Sequence, residues 1–195
     1  MSEEDRKVGI EDFKNQEVKR VNKADIFAAG LEKGREVSNA IQVILLQNLS
    51  TLVNEKNALE AIKYCNIHAY PMVDSISNTF GVEIKRASNR YRNINDAPDE
   101  LEAQLLDAYE YSIENGYTLT DNIQEYDIEF LLYTKPILAA SPMCLECHGK
   151  NVDSSVKEQI DKLYPGDKAL NHQLNDLRGM WSIKIPVKEI VNGLE

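Results

Sequence analysis

Cys144, Cys147 and His148 stand within five residues, in "CLECH", and use two of the chain's three cysteines. C-x-x-C-H is the attachment signature of a c-type haem: two thiols reach the two vinyl groups of one porphyrin, and the adjacent histidine is held beneath the iron as an axial ligand. With three cysteines and three histidines in 195 residues, chance would produce the pattern on the order of once in a thousand such chains. Other chemistries use the same residue types. A thioredoxin-like dithiol wants its C-x-x-C to follow a strand and open a helix in a βαβ unit, a context not visible here. A structural zinc site wants four ligands, usually from two paired knuckles, and the second knuckle is missing. A plain disulfide between Cys144 and Cys147 leaves His148 without a purpose. The expectation is one haem c, tethered by Cys144 and Cys147, with His148 on one face of the iron.

The other axial position has six candidates: Cys65, His68, Met72, Met143, His172 and Met180. A thiolate is a good ligand to ferric iron, but a lone cysteine is also a common small core residue. Spacing leaves the choice open. Met72 falls on a core stripe, His172 reads as a loop residue, and Met143 is poorly placed for the opposite face. Arg86, Arg90, Arg92 and Arg178 are candidates to pair with haem carboxylates, because guanidinium binds carboxylate in a bidentate fork. Arg90 reads as an ordinary solvated or structural arginine. Tyr91 and Trp181 read first as packing residues.

The elements that must position these groups follow from periodicity. Residues 1–23 are charged and weakly periodic, a lead-in to one domain over 24–195. Phe27, Leu31, Gly34, Ser38, Ile41, Leu45, Asn48 and Leu52 recur at three and four, which predicts a helix of roughly thirty residues. Gly30 and Gly34 weaken its first third and permit close packing of a neighbouring helix. Such a helix suits pairing with a second copy of the chain. A second helix begins near Asn57, with Leu59, Ile62, Cys65, Ala69 and Ile76 on one stripe. "VEIKRAS", "IEFLLYTKPIL" and "MWSIKIPV" read as strands, and Pro136 marks an edge or a bulge. A helix starts at Pro98–Glu100, with Pro98 in its first turn, and stops at Gly116; a short one covers "SSVKEQIDKL". This order lacks regular strand–helix alternation. It predicts an α+β fold, an antiparallel sheet with helices on one face.

Composition bounds the partners. With 22 basic and 32 acidic side chains the net charge is −10, so nucleic acid and anionic membrane surfaces are not expected as partners. No run approaches the ~18 apolar residues of a membrane span. The charged N-terminus has no apolar export segment. Covalent haem attachment takes place outside the cytoplasm, so the expectation is a periplasmic or otherwise extracytoplasmic protein whose export signal has been removed. No acid–base pair at informative spacing, G-x-S-x-G or phosphate-binding loop is present, and an enzyme is not expected.

"AIKYC", "IKRAS", "RNINDAPDELE", "CLECHG" and "LRGMWSIKIP" occur in the order found in a family of PAS-like monohaem c-type proteins, formerly a domain of unknown function. The resemblance spans about residues 27–187. It implies a PAS-like sheet, and it implies that Cys65 is the distal ligand, giving a His/Cys iron. The family's strand arginine and serine fall on Arg86 and Ser88. Its loop motif falls on Arg92, Asn93, Pro98, Asp99 and Glu102, and its late motif on Arg178, Gly179 and Ser182. Ala87, Ile94, Asp96 and Leu101 depart from the residues common there. Two functions follow as expectations: a redox or diatomic-gas sensor that signals through the long helix, or a low-potential electron carrier serving a redox partner protein.

Overall fold

The computed structural model describes residues 21–194; of the charged lead-in expected over 1–23, residues 1–20 lie outside them. The elements run α1 (Lys23–Glu55), α2 (Ala58–Phe80), β1 (Glu83–Ala87), a 3₁₀ turn (Ile94–Asp96), α3 (Glu100–Glu114), β2 (Asn122–Glu125), β3 (Phe130–Leu138), α4 (Pro142–His148), α5 (Ser154–Leu163), β4 (Leu177–Pro186) and α6 (Val187–Leu194). The fold is α+β. Its four strands form one antiparallel sheet in the order β1-β4-β3-β2.

Helices cover both faces of this sheet rather than one. Strand alternation sends Trp181, Ile183 and Ile185 of β4 and Tyr133 of β3 to one face. There they pack with Val37 and Ile41 of α1, Ile76 of α2 and Ile190 of α6. The opposite face carries Ala87 and Met180 against Leu106 and Tyr109 of α3. A third cluster joins Ala58 and Ile62 of α2 to Val156 and Ile160 of α5, with Cys147 packed against it.

Local chemistry sets the element ends. Asn22 and Asn57 cap α1 and α2 by accepting from the backbone N–H three residues on, satisfying donors that the first turn leaves free. The α2 helix ends on Gly81 in the left-handed region at φ +66. Asp99 and Glu102 form a reciprocal capping box on α3. Pro98 therefore lies just before the helix and not in its first turn. Glu102, buried, also accepts from Lys85 Nζ at 2.7 Å. Pro136 sits beyond the β2 pairing, whose last partner is Thr134, and next to a register shift at Ile137/Leu138. A residue without an N–H is tolerated where no ladder bond is needed.

Gly34 has a different task from the one its sequence context indicated. A Cβ there would lie 2.2 Å from the Tyr133 ring. The glycine lets α1 approach its own sheet, not another helix. Strand β2, helix α4 and helix α6 have no counterpart in the sequence reading. Each is short, and short elements carry too few repeats for a period to emerge.

Candidate functional site

The site is built where α2, α4, the end of β1 and the start of β4 converge. Helix α4 follows β3 directly. Ser141 caps it by accepting from Met143 N–H at 3.2 Å, and Pro142 occupies its first turn. The C-x-x-C thus does follow a strand and lie in a helix. The sheet is antiparallel throughout, however, so no βαβ unit surrounds it. Cys147 packs on the cluster containing Leu59 and Ile62, and Cys65 lies one turn beyond Ile62 on the same helix. Hydrophobic packing of α4 on α2 is what brings the distant cysteine near the pair.

All three cysteines are half-buried free thiols. Burial pushes the Cys65 thiol up, while Arg86 and Arg92 pull it down. Burial pushes Cys147 up to about 11, against the field of Arg92, and Cys65 and Cys144 add to the rise. Arg86 in turn feels both Cys65 and Cys144. The three sulfurs therefore share one electrostatic environment, with arginines at its edge.

His148 is oriented by its backbone surroundings. Its Nδ1 lies 2.9 Å from the Ala169 carbonyl. A carbonyl only accepts, so Nδ1 carries the proton and Nε2 keeps its lone pair. Burial, then the fields of Arg178, Arg92 and Arg86, hold the imidazole well below its usual value. The ring is neutral at neutral pH, with the Nε2 lone pair free to bind. The loop supplying Ala169 is clasped in place. Arg92 donates from Nε to Asp167 Oδ1 at 3.1 Å and from Nη2 to the Cys147 carbonyl at 2.7 Å. Asp167 Oδ1 also accepts from Ala169 N–H at 3.1 Å. Arg92 and Asp167 are both nearly sealed from solvent, so each neutralises a charge that would be costly alone.

The arginines separate by role. Arg92 is committed to this clasp. Arg178, buried, donates from Nη1 to Arg90 O at 3.0 Å and Ser88 Oγ at 3.3 Å, while its Nε has no partner. Arg86 Nε is likewise buried without a partner. Arg90 belongs to the loop above: it donates to the Leu170 carbonyl and to His172 Nδ1. Because guanidinium cannot accept, His172 must carry its proton on Nε2, and that atom too is buried without a partner. Burial is the main cause holding His172 down to about 4.

His172 is thus no ordinary loop residue. It is 1% exposed, its N–H donates to the His148 carbonyl at 2.8 Å, and the two rings meet edge-on at 6.2 Å. His68 stacks on Tyr64 at 4.5 Å and is exposed. Met180 is buried on the far face of the sheet, and Met72 packs in the main core. Tyr91 lies under Lys168 Nζ at the rim. Trp181 is a core residue, as its strand position indicated, yet its Nε1 has no partner.

Residues missed in the sequence complete the electrostatics. Tyr70 OH donates to Asp96 Oδ1 at 2.7 Å. Burial raises the Asp96 carboxyl, opposed by Tyr70, Arg86 and Arg178. Burial also pushes Arg86 and Arg178 down, each further lowered by neighbouring arginines. Guanidinium stays protonated regardless. Three arginines thus face two carboxylates, Asp96 and Asp167, and Arg86, Arg178 and His172 each present a buried donor with nothing to receive it. The arrangement fits an added group that is anionic and rich in acceptors. Among the described residues no group of three or more His, Cys, Asp or Glu side chains is arranged to hold a metal ion unaided.

A family model described as Tll0287-like matches residues 14–186. The chain belongs to the Tll0287-like family. The crystal structure of the cyanobacterial heme-protein Tll0287 matches with a TM-score of 0.60 at 23% sequence identity, over 85% of this chain and 97% of that one. At that identity the match speaks for the fold alone. No curated protein matches.

Proposed function

We propose that this chain carries one covalent haem c, tethered through Cys144 and Cys147, with His148 and Cys65 as axial ligands, and acts as a redox or diatomic-gas sensor outside the cytoplasm rather than as an enzyme. The observation that carries the reading is the meeting of C-x-x-C-H on α4 with Cys65 on α2, among buried donors that lack acceptors. A haem offers thiol-reactive vinyl groups, an iron needing two axial donors, and two carboxylates that accept what Arg86, Arg178 and His172 have to give. When bound, such a group supplies one-electron exchange and, at a vacated axial position, diatomic-gas binding. The solved relative is a cyanobacterial heme-protein, in keeping with this reading.

The chain's own residues have distinct tasks. His148 offers the Nε2 lone pair, held by the Nδ1–H bond to Ala169. Arg92 and Asp167 fix the loop that makes that bond. Arg86 and Arg92 lower the cost of a thiolate at Cys65 within a desolvating site. Cys65 stands on α2, which is hinged to α1 through residues 56 and 57. Release of Cys65 would free α2 to shift against α1, and this is the sensor's signal path.

The half-buried position of Cys144 and Cys147 favours the second reading as well, an electron carrier whose acidic surface steers it to a basic redox partner. One experiment addresses both. Protein matured with haem is denatured and separated on a gel, then stained for haem. Retention in the parent and loss in a Cys144→Ser/Cys147→Ser variant is the expected result; loss in the parent overturns the tether. Carbon monoxide added to the reduced parent should change its absorption spectrum if Cys65 leaves, and should not if the protein is a carrier with both ligands fixed.

A further inference from the structure

Among the described residues, none buries the outer hydrophobic face of the second half of α1, where Val43 and Leu46 are exposed and Ser50 and Val53 half-buried. The buried residues of α1 are Gly30, Gly34, Val37, Ser38 and Ile41. From Gln42 to Glu55 none is buried, although this stretch is rich in Leu, Ile and Val. One stripe is accounted for. Ile41, Leu45, Asn48 and Leu52 continue the inward face, and Asn48 Nδ2 reaches Met72 Sδ of α2 at 3.8 Å. Val43, Leu46, Ser50 and Val53 form a second stripe, at spacings of three, four and three. At 100° per residue it points away from the first by roughly 150°. Val43 is 52% exposed and Leu46 42%. A helix apolar on two opposite sides is normally covered on both.

We infer that a second copy of this chain covers it, stripe against stripe, so that two α1–α2 hairpins form a reversible twofold dimer. Charge identifies the occupant. From Asn39 to Asn54, sixteen consecutive residues, there is no charged side chain, in a chain whose net charge is −10. Elsewhere two copies repel; here they meet without like charges. A strongly basic or acidic partner would find no complement on this face. A membrane-surface helix needs a Lys/Arg-rich polar side. The polar residues here are uncharged asparagine, glutamine, serine and threonine, and the nearest flanking charges are Glu36 and Glu55. The three–four spacing is that of a helix–helix seam, and Ser50 at its middle lets the two backbones approach. The seam from Val43 to Val53 spans about 15 Å, short for a permanent interface, so the dimer dissociates on dilution. The surface differs from the one the glycines indicated, since Gly30 and Gly34 face the chain's own sheet.

The test is sedimentation equilibrium of the full chain, haem-loaded and under reductant, over a wide range of concentration. The parent should pass from one chain to two as concentration rises, with no weakening at high salt. Val43→Glu/Leu46→Glu should associate at least ~100-fold more weakly, with an unchanged far-ultraviolet circular dichroism spectrum. Ile128→Glu, which removes a 93% exposed isoleucine off this face, should behave as the parent. A parent that is a single chain at every concentration overturns the inference, whether or not it floats with phosphatidylcholine or phosphatidylglycerol vesicles. So does a dimer that survives the double substitution.

Discussion

Asp96 shows how one side chain registers the balance of the whole site. Tyr70 donates to it, Arg86, Arg178 and Lys85 act on it from the sheet, and burial still raises its carboxyl. The folded state therefore holds the proton to a higher pH than the unfolded chain does. At pH 7 the ionised carboxylate opposes folding, and this cost vanishes as pH falls through the folded value to the ordinary range. Asp96→Asn keeps an acceptor for Tyr70 and removes the charge. It should be more stable than the parent at pH 7 in urea unfolding, and the gap should close by pH 4. A gap equal at both pH values would contradict this. The sequence marked Asp96 only as a departure from a family pattern. Its role depends on Tyr70, 26 positions away, and no local spacing reveals such a partner. The same holds for Asp167 and His172, whose meaning lies in Arg92 and Arg90.

Helices α1 and α2 position the site, and their sequence signals were strong because they are long. The stripe through Ile62, Cys65 and Ile76 was legible and places Cys65 on the face that meets α4. What packs against a helix is less legible than the helix itself. Gly34 is the example: composition shows a small residue, and only the fold shows the Tyr133 ring above it. Tyr133 is fixed in turn, by Ser38 at 3.2 Å and Asp121 at 3.1 Å, so it cannot swing aside cheaply. Gly34→Ala should destabilise the protein by ~1–3 kcal/mol through overpacking, read from its urea midpoint, and leave the haem spectrum unchanged because the site is on another part of the sheet. A stable variant would mean that α1 can lift from β3. Strand β2 escaped the sequence reading because its four residues, Asn122–Glu125, hold a single strong hydrophobe.

At the scale of the molecule, the chain closes a loop of some eighty residues to bring the helix that carries Cys65 against the helix that carries Cys144 and Cys147. The antiparallel sheet does this by pairing β1 with β4, so that Arg86 lies opposite Trp181 and the residues leading out of β1 meet those leading into β4. Gly179 permits that crossing: at φ +147, a Cβ there would come within 2.5 Å of the Ala87 carbonyl. The C-x-x-C-H motif was legible as a pattern, because its spacing is local, and the tether proposed for it rests on that pattern. The fold class was legible from element order, except that α3 closes the second face. The companionship proposed for Cys65 and the tether came from resemblance, and the packing of α4 on α2 is what supports it. That companionship is the centre of the account. Electron paramagnetic resonance of the ferric, haem-loaded protein tests it most directly, with the parent beside Cys65→Ala. The account predicts a low-spin thiolate signature in the parent that is lost in the variant, with the haem still covalently held. An identical ferric spectrum in both would contradict it.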